Sequence, residues 1–230
     1  MIWNESSECM NREEMRELQS KRLRTTVERV YHNSTFYRAK MQELGVTPMD
    51  IESIDDLVKL PFTVKTDLRD NYPFGLFSSP MSEIVRLHAS SGTTGKPIVV
   101  GYSKGDLNTW TDLCARIGSE AGVDHTDRVD MAFLYGMFTG GWGMHYGLER
   151  TGATIIPAGS GNTERHLMMM RDFGTTVLVS TPSYALYLAE VGEKLGYDFE
   201  KLPLRLGLYG ALRRACGNVR IARRRAGALS

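Results

Sequence analysis

The sequence predicts an α/β fold in which the second half of the chain is built around a parallel sheet. Three observations support this prediction. Strand-like and helix-like patterns alternate from residue 127 onward, the loops between them are short, and the preceding residues are mainly helical in pattern. Strand–helix–strand repetition with short connections is typical of a parallel sheet that helices cover on both faces.

The amino-terminal segment has the pattern of helices. Over residues 13–42, apolar side chains recur mostly every three or four positions with charged residues between them, which is the period of an amphipathic helix. Asn33 and Ser34 interrupt this pattern, and Gly45 ends it. We expect residues 1–78 to form a helical cap beside the main domain.

A strand-to-strand loop follows two short amphipathic segments, at residues 53–60 and 66–71. Residues 83–88 are predicted to form a strand, and a second apolar run begins at Ile98. The loop of residues 90–97 therefore joins two strands. No helix N-terminus is then available to help this loop hold an anion.

From residue 127 the alternation is regular. The predicted strands are 129–135, 154–157, 176–179 and 204–209, and the predicted helices are 144–150, 163–173 and 183–195. Small residues are frequent in the loops that follow the strands, at 136–141, 158–162, 180–183 and 210–211. Because open α/β sheets bind ligands at the carboxyl ends of their strands, these loops are predicted to form one binding rim.

Residues 90–97 have the sequence Ser-Ser-Gly-Thr-Thr-Gly-Lys-Pro, which combines hydroxyl groups, flexible backbone and one cation. Gly92 and Gly95 allow close backbone approach, successive N–H groups can point into one concavity, and Lys96 supplies a mobile positive charge. A polyphosphate needs all three kinds of group. The pattern differs from the P-loop of classical NTPases. The alternative is a Gly/Thr hairpin loop that binds no ligand.

This loop resembles the signature loop of the acyl-adenylate-forming superfamily, which comprises acyl-CoA synthetases, adenylation domains and luciferases. Two further stretches, residues 67–77 (DLRDNYPFGLF) and 138–147 (FTGGWGMHYG), resemble its aryl-acid branch, the phenylacetate–CoA ligases. The resemblance extends from about residue 10 to residue 211. It implies that residues 79–211 are part of the amino-terminal AMP-binding α/β domain of an adenylate-forming enzyme.

The resemblance also implies a reaction and its partners. The full-length enzyme would be an AMP-forming ligase that activates phenylacetate with ATP, releases pyrophosphate and transfers the acyl group to the thiol of coenzyme A. Mg²⁺ is implied by ATP. Two other functions stay open: ligation of a different aromatic acid, and nucleotide binding without catalysis. The oligomeric state is not predicted.

Residue roles follow from the same resemblance. Lys96 and Thr94 are the expected catalytic residues, because charge spreads over the phosphate as the carboxylate attacks. A solvated hairpin lysine is the alternative for Lys96. The expected nucleotide contacts are Ser90, Ser91, Gly92, Thr93, Thr94, Gly95, Lys96, Gly210 and Ala211.

The acid-binding residues implied by the resemblance follow the first strand of the alternating half. Tyr135 and Phe138 would line the aryl pocket, Gly140 and Gly141 would make room for the ring, and His145 would steer the carboxylate. Core packing explains the two aromatic side chains equally well. A purely structural histidine is likewise open for His145.

Composition limits the other classes of function. The three cysteines, Cys9, Cys114 and Cys216, lie far apart, so neither a zinc site nor a disulfide framework is predicted. The start of the chain lacks the apolar region of a signal peptide, and no apolar run approaches membrane-spanning length. We therefore expect a soluble, cytoplasmic protein with no membrane partner.

The family pattern stops after Ala211. There the family continues with an acidic residue and a proline, then with magnesium, ribose and hinge motifs, whereas this chain continues with Leu212.

The charge of the chain is unevenly distributed. The net charge is +1, and the six arginines of residues 212–230 leave a net charge of −5 for the rest of the chain, but no nucleic-acid-binding pattern accompanies these arginines. We expect residues 212–230 to be an aberrant, disordered tail and the sheet to end at Tyr209. We expect no metal ligands in this chain and no activity from it alone.

Overall fold

The computed structural model describes residues 2–90, 95–210 and 220–223, the last range for its backbone alone. The chain divides into two compact units: Asn4–Leu107, and a second unit made of Met1–Trp3 with Asn108–Ser230. By compactness the division therefore falls at Leu107, whereas the sequence predicts a domain boundary at residue 78. The boundaries at residues 78 and 211 stay predictions about the family's domains.

The first unit begins with helices. They are α1 (Glu5–Glu8), α2 (Arg12–Asn33), α3 (Thr35–Glu43) and α4 (Lys65–Asp70), with 3-10 turns at Pro48–Asp50, Ile54–Lys59 and Met81–Glu83. The side chain of Asn11 caps α2 by accepting hydrogen bonds from the first-turn N–H groups of Glu13 and Glu14. Ser34 separates α2 from α3, so the predicted interruption is confirmed. A small core of Val27, Met41 and Ile51 joins these elements.

A β-hairpin completes the first unit. Strands β1 (Ile84–Ala89) and β2 (Val99–Ser103) pair antiparallel, with Ala89 opposite Val99. The loop between them therefore joins strand to strand, as predicted from the apolar runs on either side of it.

The second unit is an α/β sheet. Its helices are α5 (Lys104–Ala121, which begins in the first unit), α6 (Thr139–Arg150), α7 (Thr163–Asp172) and α8 (Pro182–Lys194), and its strands are β3 (Arg128–Met131), β4 (Thr154–Ile156), β5 (Val177–Ser180), β6 (Leu206–Tyr209) and β7 (Arg220–Arg223). The strand order is β4-β3-β5-β6-β7, and the first four strands are parallel. Across the described ranges, no helix combines the length and hydropathy that crossing a bilayer requires.

Two apolar layers cover the parallel strands. One layer holds Val129, Met131, Val177 and Val179 of the strands together with Leu148 of α6. The other holds Leu178 of β5 together with residues of α7 and α8, and its fully buried members outside the sheet are Leu167 and Leu188. The α/β class, the parallel sheet and the two-sided cover are therefore confirmed.

Three elements depart from the sequence prediction. Strand β3 ends at Met131 rather than at residue 135, so Tyr135 lies in the segment after the strand. Helix α5 is absent from the predicted elements, although Leu107, Trp110, Cys114 and Ala121 recur at helical spacing. Strand β7 pairs antiparallel with β6, so the prediction that the sheet ends at Tyr209 is wrong. Backbone pairing accounts for β7, because an edge strand offers unpaired N–H and C=O groups to any chain beside it. The other residues of the predicted tail lie outside the described ranges.

One buried carboxylate ties together the amino ends of the strands. Asp127, which is 1% exposed, accepts hydrogen bonds from Nε (3.0 Å) and Nη2 of Arg205 and from Oγ1 of Thr176 (2.6 Å). Its Oδ2 also accepts from the backbone N–H of Asp124 at 3.0 Å, and its carbonyl accepts from the N–H of Thr154 at 2.8 Å. Residues at the entry of β3, β4, β5 and β6 therefore converge on Asp127.

Helices α5 and α6 approach each other through glycines. A Cβ at Gly147 would lie 2.2 Å from Cβ of Cys114, 2.7 Å from the carbonyl carbon of Cys114 and 2.9 Å from the amide nitrogen of Ala115. A Cβ at Gly143, one turn earlier, would lie 2.3 Å from Nε1 of Trp110. Because the neighbours of Gly147 include backbone atoms, a side chain there requires one helix to move.

We expect Gly147→Ala to lower the free energy of unfolding by about 1–3 kcal/mol, the usual cost of overpacking a close contact. The matched control is Gly140→Ala in the same helix, because a Cβ at Gly140 has no atom within 4 Å. The control should leave stability unchanged or slightly raised, since alanine favours helix over glycine. Urea denaturation of both variants measures the difference. Equal stability of the two variants would contradict the close contact.

Candidate functional site

The carboxyl ends of the four parallel strands form one edge of the second unit. Strand β4 lies on one side of β3 and β5 lies on the other, so the strand order reverses between β3 and β5, and the helices that follow these two strands, α6 and α8, cover opposite faces. Such a switch point opens a crevice at the carboxyl ends of β3 and β5, and open α/β sheets bind ligands there. The predicted acid-binding residues follow β3 and therefore belong to this edge.

An aromatic cluster occupies the segment after β3 and the first turns of α6. The hydroxyl of Tyr135 lies 2.9 Å from Nδ1 of His145, so the two groups share a hydrogen bond. The ring of Tyr135 meets Trp142 edge-to-face at 5.0 Å, and Trp142 stacks on Tyr146 at 5.9 Å. The indole Nε1–H of Trp142 donates to the carbonyl of Gly136 at 3.0 Å. The structure therefore brings Tyr135 and His145 together and fixes both within one cluster.

Burial controls the protonation of this pair. It raises the pKa of the Tyr135 hydroxyl well above its usual range, and the charges of Asp130 and Tyr146 add to this effect. Burial also lowers the pKa of His145 below its ordinary value of 6.5, while the charge of Glu149 acts in the opposite direction. At neutral pH both side chains are uncharged. The pair can therefore offer hydrogen bonds to a ligand but no net charge.

The other predicted pocket residues differ in their surroundings. Phe138 precedes α6 and is 44% exposed, so its ring is not part of the described core. Gly140 has open space at the position of a Cβ. Gly141 is buried, and a Cβ there would lie 3.1 Å from the carbonyl oxygen of Leu134, so a larger residue would require the backbone at Leu134 to shift by a few tenths of an ångström. Their binding roles stay predictions.

Gly210 follows β6 at the same edge. Its N–H donates to the carbonyl of Ser180 at 3.2 Å, and a Cβ there would meet no atom within 4 Å. The space beside Gly210 is compatible with the predicted approach of a flat base. Ala211, the second residue predicted to contact the base, lies outside the described residues.

The hydroxyl- and glycine-rich loop belongs to the first unit. Of its predicted nucleotide contacts, Ser91, Gly92, Thr93 and Thr94 lie outside the described residues. Ser90 closes the hairpin: its N–H donates to the carbonyl of Ile98 and its Oγ accepts from the N–H of Ile98, both at 2.9 Å. Gly95 has a φ of +124°, a conformation that favours glycine.

Lys96 is exposed, and its Nζ lies 5.5 Å from the centroid of the Tyr72 ring. A cation at this distance from an aromatic face gains a modest electrostatic attraction. Both residues belong to the first unit, and Tyr72 lies in the family-like stretch of residues 67–77. The ring gives Lys96 a resting position without neutralising its charge, so the ammonium group stays available to an anion.

Sequence reasoning missed a buried ionisable pair at the carboxyl edge of the second unit. His166 of α7 is 1% exposed and Asp130 of β3 is 0% exposed. Nδ1 of His166 lies 3.0 Å and 3.2 Å from the two carboxylate oxygens of Asp130, and Nε2 lies 3.0 Å from the carbonyl oxygen of Gly159. A carboxylate within the apolar strand Val129–Asp130–Met131 is a signal that could have identified it.

The described residues contain no group of three or more His, Cys, Asp or Glu side chains placed to hold a metal ion. No ligand set for Mg²⁺ is therefore assigned among them. Cys114 is buried, and burial raises its pKa to about 11, so this thiol is not a nucleophile at neutral pH.

Comparison with known proteins shows what the chain resembles. No family model matches it. It is 49% identical over 197 residues to the phenylacetate-coenzyme A ligase of Pseudomonas putida and 48% identical over 200 residues to that of Escherichia coli (strain K12); each match covers 86% of this chain and 45–46% of the relative. A Thermus thermophilus phenylacetate-coenzyme A ligase is 46% identical over 211 residues, which cover 92% of this chain and 47% of the relative. The chain thus spans about half the length of the curated relatives that it matches.

The fold has a matching solved structure. A crystal structure of 2-hydroxyisobutyryl-CoA ligase with 2-HIB-AMP and CoA superposes with a TM-score of 0.85 and 30% sequence identity, over 91% of this chain and 46% of that one. An open conformation of the same ligase gives a TM-score of 0.83 and 28% identity. The resemblance stated from the sequence is confirmed: the chain is related to the phenylacetate–CoA ligases over most of its length and has part of the α/β fold of an adenylate-forming CoA ligase.

We expect His145 to titrate below pH 6.5, because its half-buried ring disfavours the charged form. Glu149→Gln should lower the midpoint further, since the carboxylate of Glu149 favours the imidazolium. The control Glu190→Gln removes an exposed charge from α8 and should leave the midpoint unchanged. NMR titration of the imidazole signals measures all three. A midpoint above 6.5 in the unaltered chain would contradict the described burial.

Proposed function

We propose that the protein to which these residues belong is an AMP-forming phenylacetate–CoA ligase. The observation that carries the proposal is the Tyr135–His145 pair within an aromatic cluster, at the carboxyl edge of a sheet whose chain is 44–49% identical to phenylacetate–CoA ligases. An aromatic wall with one polar pair suits an acid that has an apolar ring and a single carboxylate. The hydroxyl–glycine–lysine loop supplies the phosphate chemistry that such an acid requires.

The reaction has two steps. A carboxylate oxygen of phenylacetate attacks the α-phosphorus of ATP, the bond to the bridging oxygen breaks, and pyrophosphate leaves. The thiol of coenzyme A then attacks the acyl carbon, AMP leaves with the former carboxylate oxygen, and the thiol proton passes to solvent. Mg²⁺ would accompany ATP and neutralise phosphate charge.

Each proposed group acts through its physical character. Lys96 and the loop hydroxyls, including that of Thr94, stabilise the charge that spreads over the phosphates during attack. The uncharged Tyr135–His145 pair orients the carboxylate by hydrogen bonds rather than by an ion pair, which leaves the carboxylate oxygen nucleophilic. With the Tyr135 hydroxyl as donor to Nδ1, the ring proton of His145 lies on Nε2 and is available to the acid.

We expect the 230-residue chain to bind an acyl-sulfamoyl-adenosine analogue of phenylacetyl-AMP roughly tenfold or more tightly than the acetyl analogue, since the phenyl ring buries additional apolar area. Isothermal titration calorimetry compares the phenylacetyl, benzoyl, 2-hydroxyisobutyryl and acetyl analogues with adenosine sulfamate. Preference for the benzoyl or 2-hydroxyisobutyryl analogue would assign a different acid. Equal affinity for adenosine sulfamate would indicate a nucleotide-binding protein without acid specificity. With phenylacetate, ATP, Mg²⁺ and coenzyme A, these 230 residues alone are expected to form no phenylacetyl-CoA, because residues 212–230 do not resemble the family's magnesium, ribose or hinge motifs.

We expect Lys96→Ala to weaken ATP binding by about ten- to a hundredfold, the cost of losing a charge-assisted contact to phosphate. Lys21→Ala, which removes the same charge from the exposed surface of α2, is the matched control and should leave the affinity unchanged. Equilibrium dialysis with labelled ATP at fixed ionic strength measures both. An equal loss in the two variants would show a general charge effect and would reject the assignment of Lys96.

A further inference from the structure

The loop of residues 157–162, between β4 and α7, is held at its glycine by two neighbouring elements. The N–H of Gly159 donates to the carbonyl of Met131 in β3 at 3.0 Å, and the carbonyl of Gly159 accepts from Nε2 of His166 in α7 at 3.0 Å. Gly159 has a φ of +79°, and Gly161 and Asn162 also have positive φ values, of +88° and +44°. Because glycine adopts positive and negative φ values about equally readily, the loop backbone has little conformational preference of its own, and its position depends on these contacts.

Asp130 in turn determines the direction of the His166 ring. A carbonyl oxygen is only an acceptor, so Nε2 must carry a proton toward Gly159, and a second proton must lie between Nδ1 and the carboxyl group of Asp130. Both groups are essentially unexposed, with side-chain exposures of 2% and 0%. A buried carboxylate without this partner would be costly, so Asp130 and His166 hold each other in one orientation.

The same glycine lies beside the proposed acid pocket. A Cβ added at Gly159 would lie 4.0 Å from Cδ2 of Tyr135, and Tyr135 shares its hydroxyl hydrogen bond with His145. Hydrogen bonds therefore run from Asp130 through His166 to Gly159, and Gly159 borders the ring of Tyr135. This arrangement joins the α7 face of the sheet to the aromatic cluster on the α6 side.

We infer that Asp130 and His166 are positioning residues for the acid pocket: they hold the loop of residues 157–162 against Tyr135 and so define one wall of the space that the acid ring enters. This inference rests on the proposed function of that pocket. Neither residue is assigned contact with the substrate.

A matched pair of variants at position 166 separates positioning from stability. The amide nitrogen of glutamine extends about as far from Cβ as Nε2 of histidine, whereas that of asparagine extends about as far as Nδ1. His166→Gln can therefore still donate to Gly159, whereas His166→Asn can reach Asp130 but not the loop. Because His166→Gln leaves the Asp130 carboxylate without its partner, it should be the less stable of the two in urea.

The loop and the pocket should show the opposite order. Hydrogen–deuterium exchange of residues 157–162 should be about five- to tenfold faster in His166→Asn than in His166→Gln, and the affinity for the phenylacetyl-AMP analogue should fall by a similar factor. Leu188→Ala is the control for general destabilisation. Leu188 is buried in the apolar layer between the sheet and helices α7 and α8, and its side chain has no group that could hydrogen-bond to the loop. Asp130→Asn alone should keep loop protection and affinity close to those of the unaltered chain, because the asparagine amide can donate to Nδ1 of His166.

The inference is overturned if His166→Asn protects the loop as well as His166→Gln does, or if Leu188→Ala loosens it as much as His166→Asn. Should the variants fail to fold, the unaltered chain decides: NMR must show a slowly exchanging Nε2 proton on His166, and a rapidly exchanging one would reject the inference. Loop protection that follows the expected order, in a chain that binds no acyl-adenylate analogue, would reject the proposed function and leave only a structural role for the pair.

Discussion

The sheet of this protein depends on the buried carboxylate of Asp127. It accepts from Arg205, Thr176 and the backbone of Asp124, and its own carbonyl accepts from Thr154, so the entries of four parallel strands meet at one residue. A buried charge that is fully hydrogen-bonded tolerates few alternative geometries. It therefore holds the four strands together at their amino ends, and because the strands are parallel, their carboxyl ends lie at one edge.

The two faces of the sheet contribute differently to that edge. The face covered by α5 and α6 supplies the aromatic cluster, because the glycines of α6 allow it to approach α5 closely and Trp142, His145 and Tyr146 then project from its first turns. The face covered by α7 and α8 supplies Asp130 and His166. The two faces differ because side chains alternate along β3. Val129 and Met131 enter one apolar layer, and Asp130, between them, points to the other face.

The residues with proposed chemical roles differ in charge between the two compact units. The aromatic cluster is electrically neutral, because burial disfavours both tyrosinate and imidazolium at positions 135 and 145. Lys96, in the other compact unit, is an exposed cation resting against an aromatic ring. This division matches the two substrates of acid activation, an apolar acid with one polar end and the multiply charged triphosphate of ATP, and it supports the same proposal from two independent sets of residues.

The amino-acid sequence by itself determined the fold class, the order of strands and helices from residue 127, the break at Ser34, the hairpin around residues 90–97, and the resemblance that the relatives confirm. These features are local, since periodicity, glycine positions and a dense loop motif are written in consecutive residues. Helix α5 was also within reach of periodicity, because its apolar spacing is present in the chain. The tertiary structure alone decided which side chains meet: the hydrogen bond of Tyr135 with His145, the four contacts of Asp127, and the link from Asp130 through His166 to Gly159. Residues 130 and 166 are far apart in sequence and come together only because α7 packs back onto β3. A pairing of that kind depends on long-range packing, which no short window of sequence encodes.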